Sequence, residues 1–538
     1  MMKSNQAVSQ LWKIQIAASF TGLMMATVGL STLGIQSAHA ATIGTSSAPW
    51  VSETAKSSDS FVNSIGINTH LHYSNTVYAR FNDLIKPKLL NLGVRHIRDG
   101  AYTYAGAKSN SFYYERLRDL ASKGIRFNLV TSVPTRSLPQ TNYRLLSQLY
   151  TWTNGSITSF EGVNEPDLNL RGKPNWFDIT RNSQIQLYNT VRSDPKLKNV
   201  AVIAPSITTV KTKLPSLAAW SDYGNLHNYF GGRHPETTGW GGNGYGSIAW
   251  NKQYVAGAVT GSKPIISTET GWYNALQGPN TPYGTPEDVV AKYMPRMFLS
   301  QFNSGIRRTY LYELIEQKTD PTYSQTFGLL RSDGTAKPAY NALKNLITVL
   351  KDPGANFTPG KLTYALQGDT TNLQRALFQK QNGDFYLALW LGEPSWDPTT
   401  KTRLSVASEP ITLTFTDQIG AVTGYQFNAN GSLSTFSINP VNNQLSLKVS
   451  DRLVILKATP AKLLSLNALS MPISSVRAAA ISLDPLAEND LGFDRNLQAI
   501  PISTLLPGAI GVLIQALRRR KIQRSQRLQQ LQKQDNKF

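Results

Sequence analysis

Three observations predict an α/β protein, a (β/α)8 TIM barrel followed by a smaller all-β (sandwich) domain. Short apolar runs alternate with helix-like stretches from Phe61 to about Leu350, the pattern of βα units around a parallel sheet. Eight such runs fall within about 290 residues, the number and length of a closed barrel. From Asn356 to about Ala458 the helix signals cease, and strand-like runs follow one another across Asn-Gly and Pro turns.

At the N-terminus, Lys3 and Lys13 precede an apolar run from Ile14 to about Leu33, and Ala38-His39-Ala40 closes it in a small-x-small pattern. This predicts a signal peptide over residues 1–40, cleaved after Ala40, and hence a secreted, periplasmic or cell-surface body. Residues 41–60 are rich in Ser, Thr and Ala and read as a linker. The barrel is expected over 61–355. Its strands are Ser64–Thr69, Val94–Asp99, Arg126–Ser132, Ser159–Asn164, Ala201–Pro205, Asn225–Tyr229, Pro264–Thr268 and Arg308–Glu313. Helices are expected at Tyr114–Lys123, at Asp288–Asn303 and, closing the barrel, at Lys337–Leu350. Gly93 and Gly124 stand in helix-to-strand turns, where a glycine ends a helix in the left-handed conformation.

The β domain is expected over 356–460, with strands around Phe385–Trp390, Ile411–Thr416 and Leu445–Lys457. It lacks a compact aromatic triplet, which favours a brace over a sugar-binding module. Residues 461–499 read as a second linker. Residues 500–538 are apolar and then basic, with Arg518-Arg519-Arg520-Lys521 after a run broken by Pro501 and Pro507. Two readings stand for this tail: a cell-surface or membrane attachment, and an amphipathic helix with a solvated basic end.

Composition excludes several chemistries. The chain has no cysteine, so neither a thiol nucleophile nor a thiolate metal site is available. Six histidines without an HExxH pairing give no metal motif, and no cofactor is expected. The tail carries eight Lys or Arg against Asp535 and the leader two Lys, so +9 of the net +21 lies outside the body and +12 remains within it. Nucleic-acid binding has no motif behind it. Oligomeric state is not legible.

Two carboxylates stand at the ends of different strands. Glu165 follows the fourth strand in Phe160-Glu161-Gly162-Val163-Asn164-Glu165-Pro166, and Glu269 ends the seventh in Pro264-Ile265-Ile266-Ser267-Thr268-Glu269. Residues at the C-terminal ends of barrel strands converge on one mouth. Two carboxyl groups about 5 Å apart across an anomeric carbon are what retaining glycoside hydrolysis requires, one attacking the carbon and the other protonating the leaving oxygen.

A strand ending in Asn-Glu, followed about a hundred residues later by a strand ending in Glu, resembles the clan A glycoside hydrolases, the cellulase-like superfamily. The resemblance spans about Ile65 to Leu350. It implies that Glu165 is the acid/base, Asn164 the amide that binds the sugar 2-hydroxyl, and Glu269 the nucleophile. It implies that Arg98, in His96-Ile97-Arg98-Asp99, pairs with the nucleophile, and that His227 and Tyr229 line the site, Tyr229 donating to the nucleophile. Glu161 matches a structural glutamate. The eighth strand departs from the pattern: Tyr312 or Glu313 stands where a Trp often floors the sugar subsite. Glu313 is expected either to recognise a sugar hydroxyl or amine or to pair with Arg307 or Arg308. Trp176, Trp240 and Trp272 are stacking platforms or loop anchors. The reading is a secreted retaining glycosidase acting on a β-linked poly- or oligosaccharide. The alternative is a transglycosylating or catalytically silent glycan-binding surface protein on the same barrel.

Overall fold

A computed structural model describes residues 48–461, apart from 104–110, 136–138, 209–213, 278–280 and 318–324. All of its helices and strands belong to the unit that ends at Pro460. The expected leader (1–40), second linker (461–499) and tail (500–538) lie outside the described residues.

Eight parallel strands form the barrel: β1 (Ile65–Asn68), β2 (His96–Gly100), β3 (Arg126–Val130), β4 (Ile157–Glu161), β5 (Ala201–Ile203), β6 (Gly224–His227), β7 (Ile265–Thr270) and β8 (Arg308–Leu311). They pair in the order β5-β4-β3-β2-β1-β8-β7-β6. A parallel bridge between Ile203 and Tyr223 closes the ring between β5 and β6. Every expected strand is present, and all but β7 are shorter than the run that announced them, because the last residues of several runs leave the ladder to form the mouth; β7 runs on to Thr270. The helices fall at Phe112–Ser122, Glu287–Asn303 and Pro338–Leu350, each within two residues of expectation. Gly93 caps the helix Lys86–Leu92 at φ 84°, its N–H donating to the Leu89 carbonyl, and Gly124 has φ 86°.

One irregularity matters for the site. Opposite β6, Leu226 pairs with Ser267 but His227 pairs with Glu269. Opposite β8, Thr309 pairs with Ser267 but Leu311 pairs with Thr270. Both neighbours therefore meet one extra residue in β7, a bulge at Thr268-Glu269. Strict alternation sends consecutive side chains to opposite faces. The bulge lets Thr268 and Glu269 both face inward.

The second domain is a sandwich. One sheet has the order Trp50–Thr54, β9 (Lys361–Gln367), β12 (Glu409–Phe415), β15 (Gln444–Val449). The other has the order β14 (Leu433–Ile438), β13 (Val422–Phe427), β16 (Val454–Ala458), β11 (Phe385–Leu391), β10 (Leu373–Gln379), Lys56–Ser57. Residues 50–57, expected within a linker, thus supply an edge strand to each sheet. The reason is backbone pairing rather than composition: Trp50 to Thr54 run antiparallel to Ala365 to Lys361.

The central strand β11 is buried along its whole length. Phe385, Leu387, Leu389 and Leu391 fill the space between the two sheets, while Tyr386, Ala388 and Trp390 join the barrel's own core. A strand packed on both faces needs no polar alternation, which explains the unbroken run Phe-Tyr-Leu-Ala-Leu-Trp-Leu. Among the described residues no helix is long and apolar enough to cross a membrane.

Candidate active site

At the C-terminal mouth of the barrel the inward-facing residues are polar, and they meet around Arg98 on β2. Its side chain is 5% exposed. Nε and Nη2 fork onto the two oxygens of Glu161, each at 2.8 Å. Nη1 donates to Asn68 Oδ1 at 2.9 Å and to Glu269 Oε1 at 2.7 Å, and Nη2 donates to Asn164 Oδ1 at 2.6 Å. Burial works against its charge, but Glu161 and Glu269 more than restore it and raise its pKa. Only a guanidinium presents so many donors in one plane.

Glu161, at the end of β4, also accepts from Asn128 at 2.6 Å, Asn225 at 3.1 Å and the Thr268 hydroxyl at 3.0 Å. This carboxylate, fully buried and saturated with donors, is the foundation of the site and has no free lone pair to offer a reaction.

Glu269 is held from both sides, Oε1 by Arg98 and Oε2 by the Tyr229 hydroxyl at 2.8 Å. Burial raises its pKa. His227, with Nδ1 3.6 Å from Oε2, then Arg98 and Tyr229 together outweigh burial and bring it below the ordinary carboxylate value. Tyr229 is itself half-buried beside this carboxylate, and its own ionisation is pushed well up, so it stays a donor.

Glu165 is set differently. It lies four residues beyond β4, at φ 42° and ψ 55°, immediately before the short helix Pro166–Asn169. The proline that follows disfavours the right-handed helical conformation at Glu165. Its N–H donates to Ser206 Oγ at 3.0 Å, which pins the turn. Glu165 Oε1 stands 2.8 Å from His227 Nδ1, and its side chain is 21% exposed, twice that of Glu269. His227 Nε2 meets the Thr268 hydroxyl at 2.9 Å. Burial lowers the His227 pKa, Glu269 and Glu165 raise it, Arg98 opposes them, and the net shift is upward.

One oxygen of Glu165, one oxygen of Glu269 and a ring nitrogen of His227 all lie within 4.8 Å of one another. This is the one group among the described residues with the spacing to hold a metal ion. The Arg98 guanidinium against Glu269 repels a cation there, and both His227 nitrogens already have partners.

A cavity of about 410 Å³ opens over the two carboxylates. Tyr229, Gly231, Gly232, Trp272, Tyr312 and Phe327 line it, together with Leu168, Tyr273 and Tyr283. Another, of about 430 Å³, lies in the sandwich among Asp369, Asn372, Glu393 and Glu409 and touches none of these residues.

The structure brings Arg98, Asn164, Glu165, His227, Tyr229, Glu269, Trp272 and Tyr312 to one mouth. Glu313 is different: it is fully buried and lies outside the cavity lining. Its carboxylate faces His70 Nε2 at 3.1 Å and accepts from Gln317 at 3.2 Å, not from Arg307 or Arg308. Arg308 turns outward to the Asn63 carbonyl. Trp272 forms a wall rather than an open platform, 4% exposed, stacked on Phe230 with centroids 5.2 Å apart. Trp176 packs beside Phe177, and Trp240 lies under Arg233; neither lines this cavity.

Sequence reasoning missed Asn68 and Thr268, whose signal was an inward position on a strand, and Phe327, which gave none. Phe327 is the hub of the aromatic wall, with Tyr229, Tyr273 and Tyr312 at 5.6, 5.4 and 5.5 Å.

No family model and no curated protein sequence matches the chain. Solved structures do. A glucosidase from Croceicoccus marinus is 10% identical, with a TM-score of 0.50 over 76% of this chain and 97% of its own. A family 39 glycoside hydrolase from Bacteroides cellulosilyticus WH2 is 16% identical, with a TM-score of 0.44 over 74% and 82%. A GH30 endoxylanase from Clostridium papyrosolvens C71 is 14% identical, with a TM-score of 0.43 over 77% and 98%. The likeness is one of fold: a (β/α)8 barrel with a β-sandwich, shared with the Croceicoccus marinus glucosidase.

Proposed function

We propose that the chain is a retaining glycosidase that cleaves a β-glycosidic bond by double displacement. The observation that carries this reading is the pair of carboxylates, Glu165 and Glu269, with oxygens within 4.8 Å in one cavity and in unlike surroundings. Retaining enzymes hold the two about 5 Å apart, whereas an inverting site leaves room for a water between them.

Glu269, ionised by Arg98 and Tyr229, attacks the anomeric carbon as the bond to the leaving oxygen breaks. Glu165, the more exposed and without a cation as strong as Arg98 against it, gives that oxygen its proton. Water then attacks the glycosyl ester, Glu165 takes back a proton, and Glu269 is released with the anomeric configuration kept. Asn164 Oδ1 accepts from Arg98, which leaves its amide N–H groups for a sugar hydroxyl.

The experiment is a panel of 4-nitrophenyl β-glycosides followed by proton NMR of the first product. Release of the β-anomer first supports the reading; release of the α-anomer first, or no turnover of any glycoside, contradicts it. Export through the leader belongs to the same proposal, and sequencing the mature protein from Ala41 tests it. Surface attachment through residues 500–538 is checked by fractionation with and without the tail.

A further inference from the structure

The loop that follows β6 begins in the cavity and ends at the junction of barrel and sandwich. Gly231 and Gly232 line the cavity, and the Arg233 carbonyl accepts the Trp272 indole N–H at 2.9 Å. Three residues further on, the Glu236 side chain is only 8% exposed. It lies outside the cavity lining, and the reaction has no use for it.

The Glu236 partners come from two elements. Oε1 accepts from Trp390 Nε1 on β11 at 2.8 Å and from Ser300 Oγ on the helix Glu287–Asn303 at 2.9 Å. Oε2 pairs with Arg296 of the same helix. Arg296, fully buried, donates onward to the carbonyls of Glu393 and Asp451 in the sandwich, both at 3.1 Å.

A second contact from the sandwich lies closer to the cavity. The turn between Trp396–Asp397 and Thr402–Arg403 sets Pro398 against Gly232 so tightly that a Cβ there would stand 2.8 Å from Pro398 Cβ. From the same turn Lys401 Nζ donates to the Leu276 carbonyl at 2.9 Å, and Arg403 pairs with Asp288 at 2.8 Å.

Taking a carboxylate and a guanidinium out of water is costly, and apolar contacts serve mere cohesion as well. What the polar node adds is a fixed geometry for the loop. We propose that the sandwich is a working part of the sugar site: Trp390 and Glu236 lock the loop Phe230–Glu236, and through Arg233 and Phe230 that loop sets the position of Trp272, the wall against the sugar beside Glu269. Trp390 and Glu236 are positioning residues in this account, which rests on the glycosidase reading above.

The test uses the full chain carrying Trp390→Phe, which keeps a buried aromatic ring and removes the N–H, and Ser300→Ala, which removes a second donor from the same oxygen without touching the sandwich. Kinetics use the 4-nitrophenyl β-glycoside that the unmodified protein turns over best among the glucoside, xyloside, galactoside and mannoside. The expected result is a fivefold to tenfold rise in KM for Trp390→Phe with kcat within twofold, and a smaller rise for Ser300→Ala. Hydrogen exchange reads the loop without substrate: peptides over residues 229–237 exchange at least tenfold faster in Trp390→Phe, while those over β4 do not change. Unchanged KM and unchanged loop exchange, with only a lowered Tm, would overturn the proposal. If the unmodified protein cleaves none of the glycosides, the glycosidase reading fails and the role in sugar binding falls with it; faster loop exchange would then show that the mechanical lock alone stands.

Discussion

Glu165 and Glu269 are the same residue type in one cavity, and their neighbours divide the labour. Glu269→Gln removes the attacking oxygen, and kcat falls on the order of 10⁴-fold or more with the fold intact. Glu165→Gln loses about 10²–10⁴-fold on substrates whose leaving group needs a proton, and little in the first step of 2,4-dinitrophenyl glycosides. Equal losses on both substrate types would reverse the assignment of roles. Tyr229→Phe takes a donor from an ionised carboxylate, a bond worth about 1.5–3 kcal/mol, so kcat/KM falls about tenfold or more.

The pH profile follows from the same contacts. The Glu269 pKa is depressed below its ordinary 4.5, so the unfolded chain binds that proton more readily than the folded one. Its stabilisation is present above pH 4.5 and is lost as pH falls through the lower folded value. The acid limb of kcat/KM therefore lies below 4.5, and an acid limb near 6 would contradict the environment described for Glu269. The pairs themselves were legible in the sequence, because Asn164-Glu165 and Glu269 each end a recognisable apolar run. Arg98 and Tyr229 against Glu269 followed from the resemblance; the His227 ring set between the two carboxylates, with the Thr268 hydroxyl behind it, did not, since that placement depends on the registers of three strands.

Among the elements, β7 decides most. Its bulge turns Thr268 and Glu269 to the same side, and Thr268 then ties Glu161, Asn225 and His227 together through one hydroxyl. The apolar run of β7 places Glu269 at its end but gives Thr268 no role, because a bulge depends on registers with two neighbours and leaves no mark in a single strand. Thr268→Val keeps the shape and strands buried polar partners, so stability falls by about 1–3 kcal/mol and activity with it. Chemical denaturation alongside kinetics checks both. Gly271, directly after the strand, has φ 154°, and a Cβ there would stand 2.6 Å from the Tyr312 carbonyl oxygen. Gly271→Ala therefore displaces the β7–β8 mouth, and its activity falls further than its Tm shift implies. The fourth strand offers the converse lesson: Glu165 was expected at a strand end and instead caps a turn, a conformation set by Pro166 and Ser206.

For the molecule as a whole, the barrel and sandwich were legible as successive patterns, but their union was not. The strand Phe385–Leu391 is apolar on both faces because one face serves the sandwich core and the other the barrel core. The N-terminal strand Trp50–Thr54 reaches across to β9, more than three hundred residues away, a pairing that local composition cannot reveal. A chain ending at residue 355 therefore exposes the barrel surface that Tyr386, Ala388 and Trp390 cover, and it aggregates on expression; a soluble, active barrel would contradict the shared core. Glu236 marks the same junction. Burial raises its pKa, but Arg296 and His234 bring it down to about 2 from 4.5, so its contribution is present above pH 4.5 and fades as pH approaches 2. Glu236→Gln leaves Arg296 buried without a counter-charge and costs about 3 kcal/mol or more, measurable by urea unfolding at pH 7.

The division of roles between the two carboxylates comes to a head in one measurement. The protein is incubated with 2-deoxy-2-fluoro β-glycosides carrying a 2,4-dinitrophenyl leaving group, digested, and sequenced by mass spectrometry. The expected result is a stable glycosyl ester on the peptide that contains Glu269, absent in Glu269→Gln and retained in Glu165→Gln. An adduct on Glu165, or none with any sugar of the panel that the protein turns over, would contradict it.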